Sequence, residues 1–354
     1  MTPRERVLTV FEHEEPDAVP KWLGASPELL QKAQDELALE DEEALRERIG
    51  DDFRRVFPIY VGPELPPLPE GVTSRTPFGI ERIGMGYGQP TSHPLADATL
   101  AEIHAYPWPD PDWMDVSGIR AEAGRWGGRY AILGGEWAPF WHDAIDLLGM
   151  ENLYLKMYDE PAVVDAVMQH VMCYYLQVSR RTFDAAADAI DIFFIGNDLG
   201  SQNGPLLSPT FFDRFLMPHI SRLIDLGHAY GLKVMLHCCG GFKPLIPALI
   251  DAGLDGIHAV QPSCTGMDLA TLKAEFGDRL VFNGCIDSHH VLIEGTPESV
   301  REATRQVLEI MMPGGGFVAG ASHDYVLPET LVANLVTMFD AIREFGQYGG
   351  APRA

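Results

Sequence analysis

The sequence predicts an α/β fold, a (β/α)8 TIM barrel, on three observations. From Tyr130 onward, β-favouring runs alternate with helical segments without exception; such alternation implies a parallel sheet with helices outside it. Two earlier candidates bring the strands to eight, near Val19, Val56, Ile132, Phe193, Met235, Ile257, Phe282 and Val318. Polar side chains follow one strand after another, at the end where barrels of this kind build their sites. A doubly wound open sheet is disfavoured, because no Gly-x-Gly-x-x-Gly turn follows any strand.

Taken in order, Thr2 to His13 reads as a capped helix, with Pro3 at its first position and Glu in its first turns. It forms an N-terminal helical extension. EEPDAVP ends it, Ala18 to Leu23 is the first strand, Pro27 to Gly50 carries two helical segments and Phe53 to Val61 is strand-like. Between Gly62 and Asp115 prolines and glycines crowd together, and Pro excludes long regular elements. This is an irregular insertion, about 62-115, in which TPFGIERIGMGYG supplies a hairpin. After the strand YAILGGE, helical material runs from Trp141 to Ala187 with a break at Asp159-Glu160-Pro161. The remaining strands DIFFIGND, KVMLH, DGIHAVQ, RLVFNGCID and GGFVAGASHD alternate with helices at Ser208–Tyr230, Phe242–Ala252, Met267–Phe276, Pro297–Met311 and Glu329–Phe345. Barrels of ~250 residues commonly carry insertions, so residues 1-354 are expected to form one domain.

Composition narrows the function. With 46% hydrophobic and 22% charged residues, the chain buries a substantial core. The 26 basic against 51 acidic residues, net -25, argue against a nucleic-acid surface or an anionic membrane as partner. There is no signal-peptide core and no run of ~18 apolar residues, so a cytoplasmic protein is expected. The Cys residues at 173, 238, 239, 264 and 285 are too sparse for a disulfide framework and read as reduced thiols.

Those thiols direct attention to KVMLHCCGG, Lys233 to Gly241. Alternate side chains of a strand share a face, so His237 and Cys239 point one way and Cys238 the other. An imidazole and a thiolate on one face suit zinc. A catalytic zinc needs three protein ligands and an open position, and His237, Cys239 and Cys285 are the most economical set. His323, Glu136 and Asp198 are alternative or additional ligands, and the same three are the acid/base candidates. Asn197, Gln202, His258, Gln261 and Asp287 are the substrate-binding candidates. Plainer roles compete with these: Asp198 and Asp287 as helix caps, His258 as a wall histidine, Cys285 as a small residue in a crowded strand end. The pair His289-His290 is read as solvated or capping rather than metal-binding, Cys173 as core and Cys264 as incidental.

The stretches RERVLTVFEHEEPDAVP, NDLGSQNGPLLSPTFFDRFLMP, MLHCCGG, GLDGIHAVQ, FGDRLVFNGCID, EGTPE and PGGGFVAGASHDYVLPETLVANLVTMFDA together resemble the uroporphyrinogen decarboxylase superfamily, in its methylcobamide methyltransferase branch. The resemblance implies the same barrel. True decarboxylases carry arginines near the N-terminus, in a stretch that here reads WLGASPE. The methyltransferases carry His-x-Cys, matched by His237 and Cys239, and another Cys near the end of the last strand, where this chain has Ser322 and His323 and places Cys285 one strand earlier. The activity implied by the resemblance is a zinc-dependent transfer of methyl between a corrinoid and a thiol or methoxy compound. The cobamide comes from a corrinoid protein or as a free cofactor, the second substrate is a small methyl donor or acceptor, and oligomerisation is left open. A metal-independent decarboxylase and a non-catalytic corrinoid-protein docking subunit are the alternatives.

Overall fold

The computed structural model describes residues 1–84 and 88–349. Its central sheet has eight strands: β1 Lys21–Trp22, β2 Phe53–Arg55, β3 Ala131–Gly134, β4 Ile192–Gly196, β5 Lys233–His237, β6 Gly256–Val260, β7 Val281–Ile286 and β8 Phe317–Ala321. They pair in parallel in the order β1-β8-β7-β6-β5-β4-β3-β2. The seam between β1 and β2 is drawn together by Asp52, whose N–H donates to the Lys21 carbonyl at 3.0 Å while its carboxylate accepts from the Lys21 N–H at 2.7 Å. A barrel with helices around it results, as the alternation of strand and helix predicts.

Side-chain parity sorts the core into two layers. Ala131, Leu133, Ile192, Phe194, Met235, Val281 and Val318 fill the barrel interior, whereas Ile132, Phe193, Ile195, Val234, Leu236 and Phe282 face the helices. Each fully buried Ile, Leu, Val or Phe contributes ~1.5–3 kcal/mol, so the apolar strands hold the barrel and leave its mouth free for polar groups. The helix Pro3–Phe11, closed by a capping box between Thr2 and Glu5, puts Val7, Val10 and Phe11 into the interior cluster and plugs it from the N-terminal end of the strands.

The boundaries differ where backbone conformation overrides pattern. The expected helix from Trp141 divides at Glu160-Pro161 as predicted and also at Gly149, whose φ of +81° ends Phe140–Leu148 before Met150–Asp159. Two π-helical turns, Phe212–Leu216 and Ser288–Ile293, are not visible in the periodicity. The Pro-rich stretch forms a three-stranded antiparallel sheet of Ser74–Arg75, Glu81–Ile83 and Gln89–Pro90, a short helix Leu100–Ala105, and a pairing of Ile59–Tyr60 with Met114–Asp115. The predicted hairpin is thus present, although Met85, Gly86 and Tyr87 lie outside the described residues. Buried Arg82 ties this insertion to the barrel through Asp146 at 2.6 Å and Asp143 at 3.5 Å. Among the described residues no helix is long and apolar enough to cross a membrane.

Candidate metal centre at the barrel mouth

Continuing the parity of β4 and β5 past their ends brings Asp198 and His237 to the interior side of the barrel mouth. Cys238 takes the opposite face and joins the helix-side core, and Cys239 turns back toward the mouth. The result is a group of one carboxylate, one imidazole and one thiol whose donor atoms all lie within 4.8 Å of one another: Asp198, His237 and Cys239. Cys239 Sγ is 3.3 Å from His237 Nε2, which is 3.7 Å from Asp198 Oδ1. Tetrahedral zinc with N, O and S ligands sets ligand separations of roughly 3.3–3.8 Å, so these residues fit such an ion.

Asp198 is also fixed from outside the group. His142 Nε2 contacts its Oδ2 at 3.1 Å and the Cys239 N–H donates to its Oδ1 at 2.7 Å. Burial pushes the Asp198 carboxyl up, but these hydrogen bonds and the nearby imidazoles outweigh burial and hold it well below the usual carboxylate range. Cys239 responds the other way: burial first, and then the Asp198 charge, push its thiol well above its ordinary value. A divalent cation would remove that conflict by binding both anions.

Behind the group runs a buried relay. His237 Nδ1 and His258 Nδ1 are 3.0 Å apart, while the outer nitrogen of His258 makes no hydrogen bond and stands 4.0 Å from Asp324 Oδ1, a charge it faces across a gap. If His237 Nε2 faces a metal with its lone pair, its Nδ1 carries the proton and donates it to His258, whose own proton then sits on Nε2, toward Asp324. Trp22 packs against His258 with its ring tilted at 42° and the centroids 4.5 Å apart, Trp137 lies 5.3 Å from His237, and Asp324 receives the Trp22 indole N–H at 3.2 Å. Arg55 grips Asp324 through both terminal nitrogens, at 2.7 and 3.2 Å, and lies over the rings of Trp22 and Phe194. Arg55, Trp22, Trp137 and His142 were missed from sequence.

Several predicted residues fall elsewhere. Cys285 is not brought to the group: Gly284 and Cys285 have φ of +106° and +75°, which interrupts strand parity and turns the buried thiol into the helix-side core. Glu136 sits by Asp143 and Tyr174 instead of the zinc-type ligands, and burial, with Asp143 second, raises its pKa to about 7. Asn197 spends its amide on the loop after β3, accepting from the Trp141 N–H at 2.9 Å and donating to the Ala138 carbonyl at 3.1 Å. His258 is the relay residue just described. Cys173 is exposed rather than core.

Gln202, Gln261, Asp287 and His323 do meet, lining a cavity of about 410 Å³ next to the group, with Cys264 and Tyr325. His323 closes the distance between the two, its ring 6.4 Å from that of His237, and its Nδ1 accepts the Tyr325 N–H at 2.9 Å. The neutral ring therefore presents Nε2–H. Gln261 Oε1 accepts the Gly240 N–H at 2.8 Å, which leaves its NH2 as the free end. Asp287 caps the π-helical turn, as its plainer role predicted, and His289 and His290 are exposed on that turn.

The uroporphyrinogen decarboxylase (URO-D) family profile matches residues 88–345. The chain belongs to the uroporphyrinogen decarboxylase family. Within it, the chain is 20% identical over 208 residues to the methylcobamide:CoM methyltransferase MtbA of Methanosarcina acetivorans, an alignment that covers 58% of each protein. It is 22% identical over 285 residues to the uroporphyrinogen decarboxylase of Geobacter sulfurreducens, covering 78% of each. A solved structure described as a methyltransferase from Methanosarcina mazei superposes with a TM-score of 0.70 at 19% identity, covering 98% of this chain and 99% of that one, which establishes the shared barrel. This family thus includes relatives named for methyl transfer and relatives named for decarboxylation.

Proposed function

We propose that this protein is a zinc-dependent methyltransferase that moves a methyl group between a cobamide, carried by a corrinoid protein or free, and a small thiol or methoxy compound. The observation that carries it is that Asp198, His237 and Cys239 each bring a donor atom to within 4.8 Å of the others at the barrel mouth. The relatives named as methylcobamide methyltransferases support it.

These residues would hold zinc and leave a position open to substrate. Bound there, zinc supplies a Lewis acid that lets a substrate thiol lose its proton near neutral pH or polarises a methoxy oxygen. The protein's part is positional. His258 sets the tautomer of His237; His142 orients Asp198; Trp137 and Phe194 cover the group with apolar surface. His323 Nε2–H is aimed to donate to a heteroatom that gains charge as methyl leaves it.

The test is demethylation of methylcobalamin by a panel of small thiols, and the reverse reaction with methyl ethers, followed by the corrinoid absorption spectrum. Turnover that requires zinc and is lost in Cys239→Ala is expected. Metal-independent release of carbon dioxide from a carboxylated substrate, with no corrinoid reaction, would replace this function with the decarboxylase one.

A further inference from the structure

We infer that the 410 Å³ cavity beside the metal group selects a small substrate that is cationic or uncharged and carries no acid group. This rests on the proposed methyl transfer and specifies its non-corrinoid partner. Among the described residues lining the cavity there is no Lys or Arg, and the one carboxylate is Asp287. Its Oδ1 accepts the N–H groups of both His289 and His290 at 2.8 Å, which leaves Oδ2 available to a ligand. The other polar groups of the lining are the amides of Gln261, whose NH2 end is turned to the cavity, and Gln202, the hydroxyls of Ser263, Ser288, Ser322 and Tyr325, and the imidazoles of His289, His290 and His323.

The other charges nearby are already matched. The imidazoles of His289 and His290 face Glu294 at 3.4 and 3.2 Å. The guanidinium at the barrel mouth, Arg55, is committed to Asp324 through both terminal nitrogens. A carboxylate or sulfonate entering the cavity would meet Asp287 with no Lys or Arg in the lining to offset it, a like-charge contact that selects against anions. An ammonium would pair with Asp287, and an uncharged molecule would lose little. The net charge of -25 biases approach in the same direction.

The test uses three matched probes: choline, its uncharged carbon isostere dimethylbutanol, and the anion dimethylbutanoate. Their dissociation constants are measured by calorimetry on the full chain without corrinoid. Choline and the alcohol are expected to bind about tenfold or more tighter than the anion. Asp287→Asn keeps the cap, since Asn caps as well as Asp, and should bring choline to within about twofold of the alcohol. Gln202→Lys, at an exposed position, should raise affinity for the anion. Equal or tighter binding of dimethylbutanoate by the parent would overturn the inference, as would failure of all three probes to bind. Because binding is read without methyl transfer, charge selection in a protein that transfers no methyl would sink the proposed function and the substrate role that rests on it, whereas methyl transfer without charge selection would sink this inference alone.

Discussion

Glu136 and Asp198 occupy equivalent places, each two residues beyond the glycine that ends its strand, on the adjacent strands β3 and β4. Both are half-buried, yet their carboxyls move in opposite directions. Asp198 meets His142, His237 and the Cys239 N–H and is held ionised; Glu136 meets Asp143 and is pushed to about 7. Burial alone raises a carboxyl, and only the partners decide whether it ends as a metal ligand or a proton carrier. A position at a strand end is therefore not sufficient to make a ligand.

The contrast between the two carboxyls breaks most sharply if the Asp198 side is not a metal site. His237→Ala should lower zinc affinity by about 100-fold or more, because a site that relies on three protein ligands loses one outright; competition with a chromophoric chelator measures it. His258→Phe keeps the aromatic bulk but removes the relay, and is expected to weaken zinc by ~10–100-fold while leaving the fold intact by circular dichroism.

On the Glu136 side, the effect is on stability and runs the other way with pH. The folded carboxyl binds its proton more tightly than the unfolded one, whose ordinary value is 4.5, so stability falls as pH rises from there through about 7. Glu136→Gln removes that dependence. Denaturant melts should show the variant more stable than the parent by ~1–3 kcal/mol at about pH 8 and nearly equal at about pH 4. An equal difference at both values would mean that Glu136 is not held protonated by its surroundings.

The barrel was legible because apolar runs and helical periodicity reach the sequence directly, and all eight strands are centred within three residues of their expected positions. His237 and Cys239 were legible for a related reason: strand parity is a local property. Cys285 was not, because the positive φ at Gly284 and Cys285 that turns its thiol away leaves no mark on composition. Asn197 looked like a site residue since its amide is the right chemistry, yet the loop after β3 consumes both ends of it. Arg55 and His142 depend on contacts 269 and 56 residues away in the chain, with Asp324 and Asp198 respectively, which no local pattern reports.

The most direct measurement is the zinc content, by elemental analysis, of protein purified under reducing conditions, for the parent, Cys239→Ala and Cys285→Ala. One zinc per chain in the parent and in Cys285→Ala, and little in Cys239→Ala, is the predicted result. Loss of the metal in Cys285→Ala but not in Cys239→Ala, or no zinc in the parent after reconstitution, would contradict the assignment of Asp198, His237 and Cys239 as the metal centre.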